Sequence, residues 1–460
     1  MTFSDYIDYL HGKRIGVIGF GVSNQPLVRV LLQNGCDVTV CDRRERAQLG
    51  AAGDEAAAQG ARFALGADYL EHLDFDVIFR TPGVLPIVPQ LRAAAQNGAI
   101  LTSEMEAFCN LCPCRILAIT GSDGKTTTST ITAELLRAQG YTVHLGGNIG
   151  TPLFDRIADI RPDDFAVLEL SSFQLHSMHC APDVAIITNI SPNHLDVHPD
   201  LEDYVSAKCS IYRGQRPDGV LVLNARDAHT PRFAAEAPGS VRYFSSVGPV
   251  ENGVYCSDGV IYRAHDGRAE RLIDVSDIRI PGAHNVENYM AAFAATDGLV
   301  GQAACVQVAR SFAGVPHRME RIRELNGITF INDSIASSPT RTIAGLHALP
   351  KPPVIILGGH DKHIPFDELG DEVCLHAKAA VVVGETAQRI AAAIRGSKFY
   401  DPGKLPLVEA QDFRAAVETA YRFAQPGDTV TLSPACSSFD FFKNFAERGD
   451  TFRAIVEDLQ

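Results

Sequence analysis

Arg115-Ile116-Leu117-Ala118-Ile119-Thr120-Gly121-Ser122-Asp123-Gly124-Lys125-Thr126-Thr127 is the stretch on which the fold turns. Its first six residues carry the signal of a buried strand, a glycine loop follows, and Thr126 to Ala138 reads as a helix stopped by Gly140. Strand, glycine loop and helix in that order are what a phosphate-binding loop needs. Glycine lets the backbone approach a phosphate, and the helix N-terminus offers free N–H groups and a positive dipole end. Gly121, Ser122, Asp123, Gly124, Lys125, Thr126 and Thr127 are therefore the expected nucleotide-phosphate-binding residues. Lys125 would reach the β- and γ-phosphates, and the Thr126 hydroxyl would ligate Mg²⁺. The run departs from the strict G-x-x-x-x-G-K-[ST] form, because Ile119 stands near its start and the first glycine comes at 121. A glycine turn with a surface lysine is the plain alternative, which the flanking strand and helix disfavour.

Working outward, Phe165-Ala166-Val167-Leu168-Glu169 is an apolar run ending in an acid. A carboxylate at the carboxyl edge of a sheet, near a phosphate loop, suits Mg²⁺ as well as it suits an ordinary strand end. Thr188-Asn189-Ile190-Ser191-Pro192-Asn193-His194-Leu195-Asp196 follows another strand signal, Val184 to Asn189, and His194 could bind metal or position a reactant. A strand at Gly219 to Leu223, a hairpin at Val254 to Arg263 around Ser257-Asp258-Gly259, and a helix at Val286 to Asp297 complete this segment.

Before it, Arg14-Ile15-Gly16-Val17-Ile18-Gly19, a helical pattern from Gln25 to Gln33 and a strand at Asp37 to Cys41 make a βαβ unit. Gly19-Phe20-Gly21-Val22-Ser23, with Asp42 after the second strand, is a partial dinucleotide fingerprint. Asn24 replaces its third glycine, so it fits a nucleotide or nucleotide sugar better than NAD. A third segment begins near Gly314, with strands expected at Ile328 to Asn332, Val354 to Leu357, Ala379 to Val383 and Thr429 to Leu432. Helices at Thr386 to Ile394 and Phe413 to Phe423 lie among them. The expected fold class is α/β in three domains. They are a Rossmann-like N-terminal domain (1–103), a central P-loop-type parallel sheet with a small β hairpin region (104–313), and a Rossmann-like C-terminal domain (314–460).

Composition narrows the function. The 460 residues are 46% hydrophobic and 21% charged, with 41 Lys+Arg against 55 Asp+Glu and a formal charge of −14. This excludes the basic footprint of a nucleic-acid binder, so anionic ligands need local positive sites. No apolar run approaches the roughly 18 residues of a membrane span, and Met1 to His11 carries acids instead of an export signal. A cytoplasmic protein with reduced thiols is expected from the eleven scattered cysteines. Cys109, Cys112 and Cys114 have metal-like spacing, but no second cluster matches them, and core or linker thiols are the better reading.

Taken together these motifs resemble the Mur ligases over essentially the whole chain. Thr120 to Thr127 is similar to the family's ATP loop, with Asp123 where Asn is common. Gly147-Asn148-Ile149-Gly150-Thr151-Pro152 and Glu169-Leu170-Ser171-Ser172-Phe173-Gln174-Leu175 are similar to its central signatures, and Gly282-Ala283-His284-Asn285-Val286-Glu287-Asn288 to its adenine-side motif. Pro316-His317-Arg318-Met319-Glu320 and Asn332-Asp333-Ser334 resemble the start of its third domain. Ser433-Pro434-Ala435-Cys436-Ser437-Ser438-Phe439-Asp440, with Lys443-Asn444-Phe445 and Arg448-Gly449, is similar to the D-glutamate-adding branch. Ile335-Ala336-Ser337-Ser338 departs from the family, which often has Lys after Asn-Asp-Ser and then Ala-Thr-Asn.

The resemblance implies a monomeric three-domain enzyme that uses ATP and two Mg²⁺ ions to join D-glutamate to UDP-N-acetylmuramoyl-L-alanine through an acyl phosphate. It implies that Asn285, Asn288, Arg318 and Asp333 join the loop in holding ATP. Gly19, Gly21, Val22, Ser23, Asp42, Arg43 and Asn148 would hold the UDP substrate, and Ser337, Lys362, Ser438 and Phe445 would hold D-glutamate. Thr126, Glu169, His194 and Lys208 are the implied metal set, with Lys208 carbamylated and Lys125, His194 and Lys208 catalytic. A folylpolyglutamate-synthase-like ligase is a rival, disfavoured by the N-terminal glycine unit. An NAD-dependent dehydrogenase and a non-catalytic nucleotide switch are rivals of other classes.

Overall fold

The computed structural model describes residues 1–149, 152–194, 197–361 and 364–460. Lys362, Gly150, Thr151, Leu195 and Asp196, named above within motifs or as site residues, lie outside them. The chain forms two compact units, Met1–Phe312 and Ala313–Gln460. Among the described residues no helix is long and apolar enough to cross a membrane.

The first unit holds two sheets. In the N-terminal one, β1 (Arg14–Ile18), β2 (Asp37–Asp42), β3 (Arg62–Leu65), β4 (Val77–Arg80) and β5 (Ile100–Thr102) are parallel, in the order β3-β2-β1-β4-β5. The central strands β1 and β4 are buried on both faces, which is why they read as continuous apolar runs and not as alternating ones. The order reverses between β1 and β4, and the Gly19 loop leaves β1 at that point.

The second sheet comprises β6 (Arg115–Thr120), β7 (Val143–Gly147), β8 (Phe165–Glu169), β9 (Val184–Ile187), β10 (Val220–Asn224), β11 (Ser240–Ser245), β12 (Gly253–Ser257), β13 (Val260–His265) and β14 (Arg268–Asp274). Its order is β14-β13-β12-β11-β10-β9-β6-β8-β7, parallel from β7 to β12 and antiparallel for the last two pairs. The β12–β13 turn is the expected hairpin. Asp258 and Gly259 have φ of 51° and 75°, the left-handed pair of a two-residue turn whose twist matches that of the strands. The chain leaves β6 toward β7 and β8 on one side, then returns to β9 and β10 on the other. The carboxyl ends of β6, β8 and β9 thus border a switch point, where an α/β sheet opens a crevice for ligands.

The second unit carries β15 (Glu320–Leu325), β16 (Ile328–Asn332), β17 (Val354–Leu357), β18 (Ala379–Val382), β19 (Leu407–Glu409) and β20 (Thr429–Leu432). Its order is β15-β16-β20-β17-β18-β19, with only β15 antiparallel. Most expected elements appear within a residue or two. The helix expected from Val286 instead spans Ala283–Ala295, because Gly282 at φ 104° starts it before its apolar face begins.

Candidate active site

The helix Lys125–Ala138 follows β6 and is entered through Gly124 at φ 77°, with no side chain capping its first turn. Three other helices near the candidate sites are capped by Ser171, Asp200 and Asn444. The phosphate helix therefore presents an uncapped N-terminus, as an anion site requires. Both loop glycines are demanded by space. A Cβ on Gly121 would lie 1.9 Å from Thr188 Oγ1, and one on Gly124 would lie 2.3 Å from Asn288 Oδ1. Asn288 is thus packed against the loop; it accepts from Thr128 Oγ1 and donates to Asn285 Oδ1, both at 3.2 Å. Lys125 Nζ lies folded onto the Gly121 and Ser122 carbonyls, at 2.9 and 2.8 Å.

Glu169 ends β8 and is buried. One carboxylate oxygen accepts from Asn148 Nδ2 at 2.9 Å, and the other, Oε2, is buried with no hydrogen-bond partner. An orphaned carboxylate oxygen at the end of the strand beside β6 suits a hard cation, so Glu169 fits Mg²⁺, with the Thr126 hydroxyl of the loop helix as a further oxygen ligand. Asn148, expected at the UDP substrate, has its side chain on Glu169.

Lys208 lies in the helix Leu201–Arg213, only 2% exposed, and its Nζ donates to Gly121 O at 2.8 Å and Thr120 Oγ1 at 3.4 Å. Burial first, and then the Lys125 charge, push its ammonium well below its usual value. Tyr204, one turn earlier, meets Ser122 Oγ at 2.9 Å, so the helix is tied twice to the loop. His194 is exposed, at φ 55°, with its ring 5.0 Å from that of Phe173.

In the N-terminal sheet, Gly19 at φ 81° has no room for a Cβ, which would meet Thr81 Cγ2 at 2.7 Å, whereas Gly21 is under no such restriction. Val22 is exposed and Ser23 precedes the helix Asn24–Gln33 without capping it. Asp42 is buried; it accepts from the Phe20 N–H at 2.6 Å and from Arg44 Nη2 at 2.9 Å. Opposed by burial but outweighed by Arg44 and these N–H groups, its pKa falls to about 2. The partner of Asp42 is thus Arg44, which sequence reasoning missed, while Arg43 is exposed. A concavity of about 880 Å³ lined by Lys13, Arg14, Asp76 and Asn97 lies at the amino ends of β1, β4 and β5. That is the edge opposite Gly19, where open parallel sheets do not bind ligands.

In the second unit the loops after β16, β17 and β20 converge. Asp333 is buried, accepting from Met319 N at 3.1 Å and Ser433 Oγ at 2.8 Å, and burial raises its carboxyl to about 6. Arg318 is exposed; the flanking His317 and Met319 have φ of 64° and 44°, strained values that cluster at functional sites. Arg448, named in sequence as part of a family motif but given no role there, is 2% exposed. It donates to Ser334 Oγ and O, Cys436 O and Ser437 O at 2.8–3.1 Å. Ser334 Oγ in turn donates to Phe445 O at 2.7 Å. Ser438 is buried beside this clamp, and the Ser337 N–H donates to Ile335 O at 2.8 Å.

A phosphate loop at the switch point of one sheet, a nucleotide-type glycine loop on another and a clamped loop cluster on a third define a nucleotide-binding protein of the α/β class. Residues 119–296 match the Mur ligase middle domain and 317–436 the Mur ligase glutamate ligase domain. The chain is 46% identical over 462 residues to the UDP-N-acetylmuramoylalanine–D-glutamate ligase of Acetivibrio thermocellus, covering 99% of each chain. It is 44% identical over 459 residues to the ligase of the same name from Clostridium kluyveri, covering 100% of this chain and 99% of that one. Its fold is that of MurF from Acinetobacter baumannii (TM-score 0.59, 20% identity, 100% of this chain and 93% of that one). It is also that of the UDP-N-acetylmuramate–alanine ligase of Thermotoga maritima (TM-score 0.55, 18% identity, 97% and 99%). The chain belongs to the Mur ligase family.

Proposed function

We propose that this protein joins D-glutamate to UDP-N-acetylmuramoyl-L-alanine at the expense of ATP, as a cytoplasmic step in peptidoglycan precursor synthesis. The full-length identity to ligases of that name carries the reading. In it, residues 1–103 hold the UDP moiety through Gly19, Gly21, Val22, Ser23, Asp42 and Arg43. Residues 104–313 hold ATP through the loop, Asn285 and Asn288, and residues 314–460 add Arg318 and Asp333. The amino acid lies against Ser337, Ser438, the Phe445 backbone and Lys362, because two carboxylates need a cation and several donors.

Thr126, Glu169 and His194 would hold Mg²⁺, which neutralises charge on the transferring phosphoryl group. Asn148 holds Glu169 in place for that task. Lys125 swings from the Gly121 and Ser122 carbonyls to the γ-phosphate as the substrate carboxylate attacks it, forming an acyl phosphate and releasing ADP. The D-glutamate amine then attacks the acyl carbon, giving a tetrahedral intermediate that expels phosphate. Lys208 becomes a carbamate that would complete a second metal position: its neutral Nζ attacks CO₂, a C–N bond forms as a C=O π bond opens, and the proton leaves to solvent.

The test is phosphate release from ATP with UDP-N-acetylmuramoyl-L-alanine and a panel of D- and L-amino acids. Turnover with D-glutamate alone is expected. Equal turnover with L-glutamate or a diamino acid, or none with D-glutamate, refutes the assignment.

A further inference from the structure

Among the described residues, one partly buried group of imidazoles and carboxylate has no place in the proposed chemistry. His176 follows the short helix Ser172–Leu175, His198 lies in the loop before Leu201–Arg213, and Asp203 stands in the first turn of that helix. His176 Nε2 lies 3.1 and 3.2 Å from the two Asp203 oxygens, and His198 Nδ1 lies 2.6 Å from Oδ2. One ligand atom from each residue falls within 4.8 Å of the others.

We propose that His176, His198 and Asp203 form a binding site for a borderline divalent cation, Zn²⁺ or Co²⁺, separate from the residues that would hold Mg²⁺. Metal–ligand bonds of about 2.0–2.2 Å in tetrahedral geometry put neighbouring ligand atoms roughly 3.3–3.6 Å apart; the His176–Asp203 separations of 3.1 and 3.2 Å come near this, and the 2.6 Å His198–Asp203 contact has to open when an ion enters. Two imidazoles and a carboxylate favour such an ion, whereas Mg²⁺ takes oxygen ligands. Asp203 keeps about 30% of its side chain exposed, so its carboxylate can be reached from solvent.

The protons support the same reading. Without an ion, each ring presents an N–H to Asp203. An ion takes the place of those protons, so each ring must carry its remaining proton on the other nitrogen. For His198 that nitrogen, Nε2, lies 3.0 Å from Ser172 Oγ. A serine hydroxyl donates to a bare nitrogen and accepts from a protonated one, so His198 changes tautomer without losing a hydrogen bond. His176 Nδ1 is buried without a hydrogen-bond partner, so only His198 has its second ring nitrogen held in both states. The His198 ring, 1% exposed, is stacked on Phe173 at 5.5 Å and 7° and faces the edge of Tyr204 at 5.3 Å, so its direction is set before any ion arrives. A filled site would tie the helix that carries Lys208 to the segment that follows Glu169.

The second His/Glu group, His347, Glu372 and His376, is a useful control, because both its imidazoles are exposed. The experiment is anaerobic titration of the metal-stripped, full-length protein with Co²⁺ in excess Mg²⁺, read by visible d–d absorption. One saturable tetrahedral band is expected, without sulfur-to-cobalt charge transfer. It should persist in the double variant His347→Asn/His376→Asn and disappear in His176→Asn, whose circular dichroism should match the parent. Ser172→Ala should weaken binding about tenfold. Absence of a saturable band, thiolate charge transfer, or an unchanged band in His176→Asn would overturn the proposal.

Discussion

Lys208 is a cation in a place that disfavours cations. Its ammonium is buried and lies near the Lys125 charge, both of which lower its pKa and raise the share of neutral amine. That is the form that attacks CO₂, and it explains how a lysine could serve a site that needs anionic oxygen. Lys208→Ala is expected to lose nearly all turnover and to regain part of it with added small carboxylic acids. Lys208→Arg should be equally inactive and resist such rescue, since a guanidinium fills the space and forms no carbamate. Full activity of Lys208→Ala in CO₂-free buffer would dismiss the idea. Asp333 poses the opposite problem, because burial raises it from 3.8 to about 6. The folded chain holds this proton more tightly than the unfolded one. The group's contribution to stability is therefore fully present below pH 3.8 and lost as pH rises through about 6, by roughly 3 kcal/mol at most. Asp333→Asn cannot titrate, so the stability difference, parent minus variant, should fall between about pH 4 and pH 6. Urea unfolding across that range measures it, and a flat difference would mean that Asp333 titrates normally.

At the scale of elements, the phosphate loop joins backbone geometry to function. Gly124→Ala forces an L-residue to φ 77° and drives its Cβ into Asn288. The left-handed conformation alone costs about 1–2 kcal/mol. The expected outcome is a lowered unfolding midpoint and a KM for ATP raised at least about tenfold, with the KM for the UDP substrate nearly unchanged. Equal rises in both would show that the whole unit is disturbed. This element was legible in sequence because strand, loop and helix are contiguous. So were the doubly buried strands, whose apolar runs need no partner to be seen, and the Asp258-Gly259 turn, whose residues state their own φ. What escaped was contact at long range. His198, Asp203 and Tyr204 acquire meaning only once the helix Leu201–Arg213 lies against the loops that follow β6 and β8. Arg44 and Arg43 are adjacent cations, and only the path of the chain after β2 decides which meets Asp42. Arg448 belongs to a motif seen in sequence, but what it does, holding the loops after β16 and β20 together, shows only once they close around it.

For the whole molecule, the distribution of buried apolar side chains decides where the chain can be cut. The core of Ala313–Gln460 is made from its own residues, such as Phe330, Val381 and Phe452 in one cluster and Ile355, Leu369 and Ile390 in another. Within Met1–Phe312 the first and second sheets share a cluster, in which Val17 and Phe79 of one belong with Ala118 and Leu168 of the other. Arg80 reinforces the joint. Its guanidinium is 2% exposed, donates to Ser177 Oγ at 2.8 Å and Phe173 O at 3.2 Å, and is lowered to about 10 by burial. Separate fragments 1–312 and 313–460 are therefore each expected to unfold cooperatively. The first should still bind ATP and the UDP substrate, but neither should turn over alone, since the phosphate loop lies in 1–312 and the residues proposed for D-glutamate lie in 313–460. A cut at 103/104 should behave differently, because it divides the shared cluster and strands Arg80 without its acceptors. Fragment 104–312 should expose that surface, bind a hydrophobic dye and unfold at a lower denaturant concentration than 1–312. Equal midpoints for 1–312 and 104–312 would show that the two sheets stand independently and that their common cluster contributes little.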